Sequence, residues 1–206
     1  MKEEESLKTK IIVNASDLFL TKGFKSVTMD DLASNMAMSK KTIYTYFKTK
    51  NDLVKKVSNY LSDIIINEVE SIGQHNYNPI EELYVISDFV QKNLKKENSS
   101  PIYQLQKYYP KIHSELIKKQ FEVSYSCILR NLTTGIDAGL YRRDLNIEFI
   151  SRLYFNSTVT LKDHEKFPSE DFPTSKTVNE YLDYHFNGIT TNKGLKILKQ
   201  IQQKRK

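Results

Sequence analysis

Residues 28–47 read TMDDLASNMAMSKKTIYTYF, and two hydroxyl residues in this stretch, Thr28 and Ser39, each stand just before a short helical pattern. Thr28 with Asp31 three positions on has the form of a capping box, and Val27 with Leu32 is placed as its hydrophobic staple. Ser39 repeats the pattern with Met38 and Ile43, and Thr49 repeats it again with Asp52 and Leu53. Three capped starts so close together predict two short helices followed by a longer one. Two short helices joined by a tight turn form a helix-turn-helix, whose second helix can enter the major groove of DNA.

The second helix carries chemistry suited to that groove. Ile43 and Phe47, four residues apart, face the other helices and leave Lys40, Lys41, Thr42, Thr45 and Tyr46 on the exposed side or end. Backbone N–H groups at a helix N-terminus, with a nearby Lys or Tyr, suit a phosphate. Thr42 and Thr45 can bond base edges or touch a thymine methyl, and Lys can donate to guanine. A solvated Lys/Thr face on an ordinary helical hairpin has the same spacing, so spacing alone leaves both readings open.

Composition bounds the remainder. The 206 residues are 39% hydrophobic and 27% charged, an ordinary mixture for a soluble globular chain. A single cysteine, Cys127, excludes an internal disulfide framework and fits a reducing compartment. The opening MKEEESLKTK is too polar for a signal peptide, and no apolar run approaches the ~20 residues of a membrane span. A cytoplasmic protein without membrane association is expected. The net charge of +6 is weak evidence for nucleic acid, because Lys193, Lys196, Lys199, Lys204, Arg205 and Lys206 account for all of it and the other residues balance. More telling is residues 39–51, which hold Lys40, Lys41, Lys48 and Lys50 with no acid.

Scarce Gly and Pro and the absence of period-two alternation predict an all-α protein. Leu7, Ile11, Ala15, Leu18 and Phe19 mark a first helix over residues 5–21, stopped at Gly23. A long helix follows over residues 50–71. Asn78 with Pro79 and Glu81 then opens the next, after the boundary QHNYNP. Further helices are expected over residues 79–96, 101–109, 111–138, 147–161, 175–189 and 192–203, with a break at NSSP and a polar loop over residues 162–173.

As a block, NASDLFLTKGFKSVTMDDLASNMAMSKKTIYTYFKTKNDL resembles the DNA-binding domain of the TetR/AcrR family of bacterial repressors. The matching pieces are Ala15–Leu18–Phe19, Gly23–Phe24, Thr28–Met29, Leu32–Ala33, Ser39, Ile43–Tyr44, Phe47, Lys50 and Leu53. The resemblance implies a domain at residues 1–60, with the helix-turn-helix motif at 28–47, and a larger helical effector-binding and dimerisation domain at 61–206. It implies that Thr28 caps the second helix and reaches a phosphate. Lys40, Lys41, Thr42 and Tyr46 would face the groove, and the Tyr44 hydroxyl and Lys50 would meet the backbone. Ala37 departs from the family pattern, which often has Gly in the turn; a positive φ there would cost ~1 kcal/mol.

The resemblance further implies a ligand-responsive repressor that binds a palindromic double-stranded DNA operator as a homodimer, with an unidentified small-molecule effector. Tyr103, Tyr108, Tyr125 and Tyr154 are the candidate pocket residues, although aromatics at helical spacing also serve as plain core. Ile150, Leu153, Val178, Leu182 and Phe186 are the candidate dimer contacts. No motif suggests an enzyme or a cofactor. His75, His113, His164 and His185 lack metal-ligand spacing, and Asp163–His164–Glu165 reads as a solvated loop cluster. The rival readings are a helical interaction protein with a vestigial helix-turn-helix and, further off, a small helical enzyme.

Overall fold

A computed structural model of the chain describes residues 2–94, 101–163 and 165–205. Over these the protein is all-α, with an isolated antiparallel bridge between Tyr141 and Thr190. The helices are α1 (Lys2–Lys22), α2 (Met29–Asn35), α3 (Lys40–Tyr46), α4 (Lys50–Ile72), α5 (Pro79–Leu94), α6 (Pro101–Tyr108), α7 (Pro110–Asp137), α8 (Ile147–Thr160), α9 (Thr174–Ile189) and α10 (Asn192–Lys204). The expected break at NSSP and His164 lie outside the described residues.

The helix starts follow local chemistry. Asn78 Oδ1 accepts from the N–H groups of Ile80 at 3.1 Å and Glu81 at 3.0 Å, so α5 begins on a capped Pro79. Asn146 caps α8 by accepting from Phe149 N–H at 3.1 Å, and Thr191 caps α10 through Gly194 N–H at 3.2 Å. At the end of α1, Gly23 takes φ +89° and donates to the Phe19 carbonyl at 2.9 Å.

The chain divides into two compact units. One comprises Met1–Ile66 with Leu94–Lys119, and the other Asn67–Asn93 with Gln120–Lys206. The division falls inside α4 and inside α7, so the first unit is larger than a three-helix domain. Its core packs Ile11, Phe19, Phe24, Leu32, Ile43, Phe47, Leu53 and Val57 together with Leu105, Ile112 and Leu116 from α6 and α7. Gln104 of α6 accepts from Lys25 N–H at 3.2 Å, and its amide lies where a Cβ at Gly23 would be 2.4 Å away. A side chain at position 23 would therefore displace the Gln104 amide as well as strain the turn.

The second unit has its own core, around Ile80, Leu83, Tyr84, Leu132, Tyr141, Tyr154, Leu182, Phe186 and Leu198. This core corrects the expected dimer contacts. Leu182 and Phe186 are fully buried and Val178 nearly so, while Ile150 is half-buried against the same core. The stripe they form on α9 is consumed inside the protomer. Of the five residues, Leu153 alone is well exposed, at 48%.

Candidate nucleic-acid interface

Thr28 and Asp31 form the reciprocal capping box. Thr28 N–H donates to Asp31 Oδ2 at 2.8 Å, and Asp31 N–H donates to Thr28 Oγ1 at 3.1 Å. The Thr28 N–H foremost, and then the Thr28 hydroxyl, which donates to Asp31 Oδ2 at 2.7 Å, hold the Asp31 carboxyl below its ordinary range. Between α2 and α3, Ala37 has φ +50°, the strained conformation expected where Gly is absent. It sits in a Schellman turn: Met38 N–H donates to the Ala33 carbonyl at 2.9 Å and Ala37 N–H to the Ser34 carbonyl at 3.2 Å. Ser39 then caps α3 by accepting from Thr42 N–H at 3.0 Å, and its hydroxyl lies 2.7 Å from that of Thr42.

On α3, Ile43 is fully buried and Phe47 nearly so, while Ser39, Lys40, Lys41, Tyr44 and Thr45 are exposed and Thr42 is half-buried. Tyr46 departs from expectation. It is half-buried and packs against the first core, because positions 43, 46 and 47 share one face at helical spacing. Lys40 has a partner that the acid-free segment concealed: its ammonium lies 2.8 Å from Asp30 Oδ1 on α2, which raises its pKa. Lys50 is half-buried and donates to the Lys25 carbonyl at 2.8 Å; burial lowers its pKa. An ammonium has three donors, so two remain for an anion. Sequence reading missed Asp30 and Gln104. Asp30 was within reach, as an acid next to the capping box; Gln104 had no local signal.

The four candidate pocket tyrosines divide between the two units. Tyr103 and Tyr108 belong to the first unit, where Lys107 donates to the Tyr103 hydroxyl at 3.2 Å and Lys25 lies 4.5 Å from the Tyr108 ring centroid. Tyr125 and Tyr154 belong to the second, and Tyr154 is buried in its core. A groove of about 520 Å³ in the first unit is lined instead by Ile12, Lys56, Asn59, Tyr60, Asp63, Glu115 and Lys119. Ion pairs along it, Lys55–Glu115 at 2.6 Å and Lys119–Asp63, make it a polar surface feature.

Residues 11–57 match the family model for bacterial regulatory proteins of the TetR family. The biofilm operon icaADBC HTH-type negative transcriptional regulator IcaR of Staphylococcus aureus (strain Newman) is 30% identical over 127 residues, covering 54% of this chain and 68% of that protein. This chain belongs to the TetR family. An uncharacterised HTH-type transcriptional regulator of Bacillus subtilis, YvaF, is 24% identical over 184 residues, or 89% of this chain and 95% of that one. A solved transcriptional regulator from Cytophaga hutchinsonii has the same fold, with a TM-score of 0.74 over 89% of this chain and 98% of that chain, at 16% identity. The protein is thus a helix-turn-helix transcriptional regulator. Among the described residues no helix is long and apolar enough to cross a membrane.

Proposed function

We propose that the protein is a ligand-responsive repressor that binds a palindromic duplex as a homodimer. The observation that carries the DNA reading is the exposed side of α3. Lys41, Tyr44 and Thr45 there are held by a helix whose opposite face, Ile43 and Phe47, is locked into the core. Thr28, Lys40 and Lys50 flank it as phosphate contacts, Thr42 and Thr45 read base edges, and Ser39 orders the first turn. Tyr46 supports the helix from beneath.

One helix-turn-helix spans too few base pairs to specify a site, so a two-fold dimer on an inverted repeat is the geometric expectation. A self-association surface is supported by α8 and α9. Phe149 and Leu153, four apart on α8, are 59% and 48% exposed, and Tyr184 on α9 is 78% exposed. An apolar stripe left open on a protomer suits a second copy. Repression is the reading favoured by IcaR, a negative regulator by name.

Selection of bound duplexes from a random pool tests the proposal. Enrichment of an inverted repeat, with affinity falling steeply as salt rises, is the expected result; a pool that yields no repeat overturns it. An effector that lowers operator affinity must itself bind more weakly to the operator complex, and by the same factor.

A further inference from the structure

Among the described residues of the second unit, two buried side-chain polar atoms have no hydrogen-bond partner, and their rings are neighbours on α9. His185 is 7% exposed, yet its Nε2 has no hydrogen-bond partner in the protein. The Tyr181 hydroxyl, one turn away on α9, is sealed from solvent and equally unpartnered; it lies beside Ser157 without a hydrogen bond of good geometry. The two rings are 6.0 Å apart between centroids, and Tyr154 of α8 closes the group, 5.1 Å from His185 and 5.8 Å from Tyr181. A buried donor or acceptor without a partner is destabilising, so such groups are rare in a folded chain and two together are rarer. Phe186, 5.7 Å from the His185 ring, completes an apolar wall.

We infer that Tyr154, Tyr181 and His185 form the recognition site for an effector that is neutral, largely apolar and aromatic, and that carries a hydroxyl or carbonyl for the His185 and Tyr181 polar atoms. This inference deepens the ligand-responsive reading proposed above and rests on it. The chemistry of the surroundings selects the class. The influence on His185 is removal from water alone, which pushes its pKa down to about 4 and keeps the ring uncharged. The groups acting on Tyr181 are Ser157 and Tyr184, and those acting on Tyr154 are Tyr181 and Cys127; none is a lysine, arginine or carboxylate. A charged ligand would have to leave water for surroundings that already disfavour charge on His185. A flat neutral one would stack on the tyrosines and give both unused polar atoms a partner.

The same residues indicate a way in. The Tyr181 side chain is half-buried overall while its hydroxyl has no exposure, so the ring borders the surface and its polar end points inward.

The test uses the full-length protein and three probes: 2-naphthol, naphthalene and 2-naphthoate. 2-Naphthol is expected to bind about tenfold more tightly than naphthalene, which lacks the hydroxyl, and more tightly than the anionic 2-naphthoate. Tyr181→Phe and His185→Leu should each bring 2-naphthol down toward the naphthalene level. Tyr181→Phe should meanwhile unfold at the same temperature as the unaltered protein or a higher one, since it removes an unpaired hydroxyl and leaves the ring. Equal affinities for the three probes, no binding of any, or a hydroxyl preference that survives both substitutions overturns the inference. Binding is read without DNA, so it stands or falls apart from duplex selection; a probe that binds as expected should also release the selected duplex.

Discussion

Lys50 at the start of α4 donates its ammonium to the Lys25 carbonyl at 2.8 Å, and so ties the α4 N-terminus to the loop that precedes α2. The two helix starts proposed to meet the DNA backbone are thereby held as one unit. Lys50→Ala should weaken binding to every duplex about equally and reduce the salt dependence by about one counterion. Thr42→Ala should relax preference at one base position, with a loss of ~1–3 kcal/mol there. Affinities across a panel of single-base operator variants separate the two; a position-specific loss for Lys50→Ala would reverse the assignment.

Ala37 holds φ +50° at the left-handed position of the turn between α2 and α3. Glycine relieves that strain but gains freedom in the unfolded chain, so Ala37→Gly should stabilise by only about 0.5–1 kcal/mol. A shift in urea midpoint to higher concentration, at unchanged slope, is the expected result.

Two buried or bonded groups give stability separate pH windows. The folded pKa of His185, about 4, lies below the ordinary histidine value of 6.5. The unfolded chain therefore binds the extra proton, and stability present above that value falls as pH drops from 6.5 toward 4, by up to about 1.4 kcal/mol per pH unit. The carboxyl of Asp31 is also depressed, by its bonds to Thr28. Its contribution is present above the ordinary carboxylate value and is lost as pH falls through the folded one. Unfolding curves across pH 7 to 2 should flatten in the upper window for His185→Leu and in the lower window for Asp31→Asn.

The faces of α8 and α9 make opposite predictions. Phe149→Glu with Leu153→Glu should yield folded monomers, because both side chains are exposed on the protomer. Leu182→Ala should instead destabilise each protomer by about 2–5 kcal/mol, since that side chain is fully buried. Sedimentation and denaturant unfolding distinguish these outcomes, and a dimer that persists in the double Glu variant places the interface elsewhere.

Much of the first unit was legible because its signals are local. The Thr28–Asp31 box, the Ser39 cap and the Thr49–Asp52 box each lie within one helical turn, and each is present as a hydrogen-bonded pair. The same holds for Asn78 and for the positive φ of Ala37. Tyr46, expected on the exposed side, is half-buried instead, although its spacing to Ile43 and Phe47 places it on their face.

What the sequence could not settle is which of two apolar faces a helix spends on its own core. On α8, Leu153 and Tyr154 are neighbours, yet one is 48% exposed and the other 7%. On α9, the stripe Val178–Leu182–Phe186 is inside and Tyr184 is outside. Helical periodicity identifies a stripe but not its partner, because burial depends on elements distant in the chain. The docking of α6 against the loop after α1 through Gln104, some eighty residues away in sequence, has the same origin. So does the meeting of Tyr154 with Tyr181 and His185. Caps and periodicity are written within a turn of helix, whereas the cores that decide exposure are assembled from segments that only the tertiary fold brings into contact.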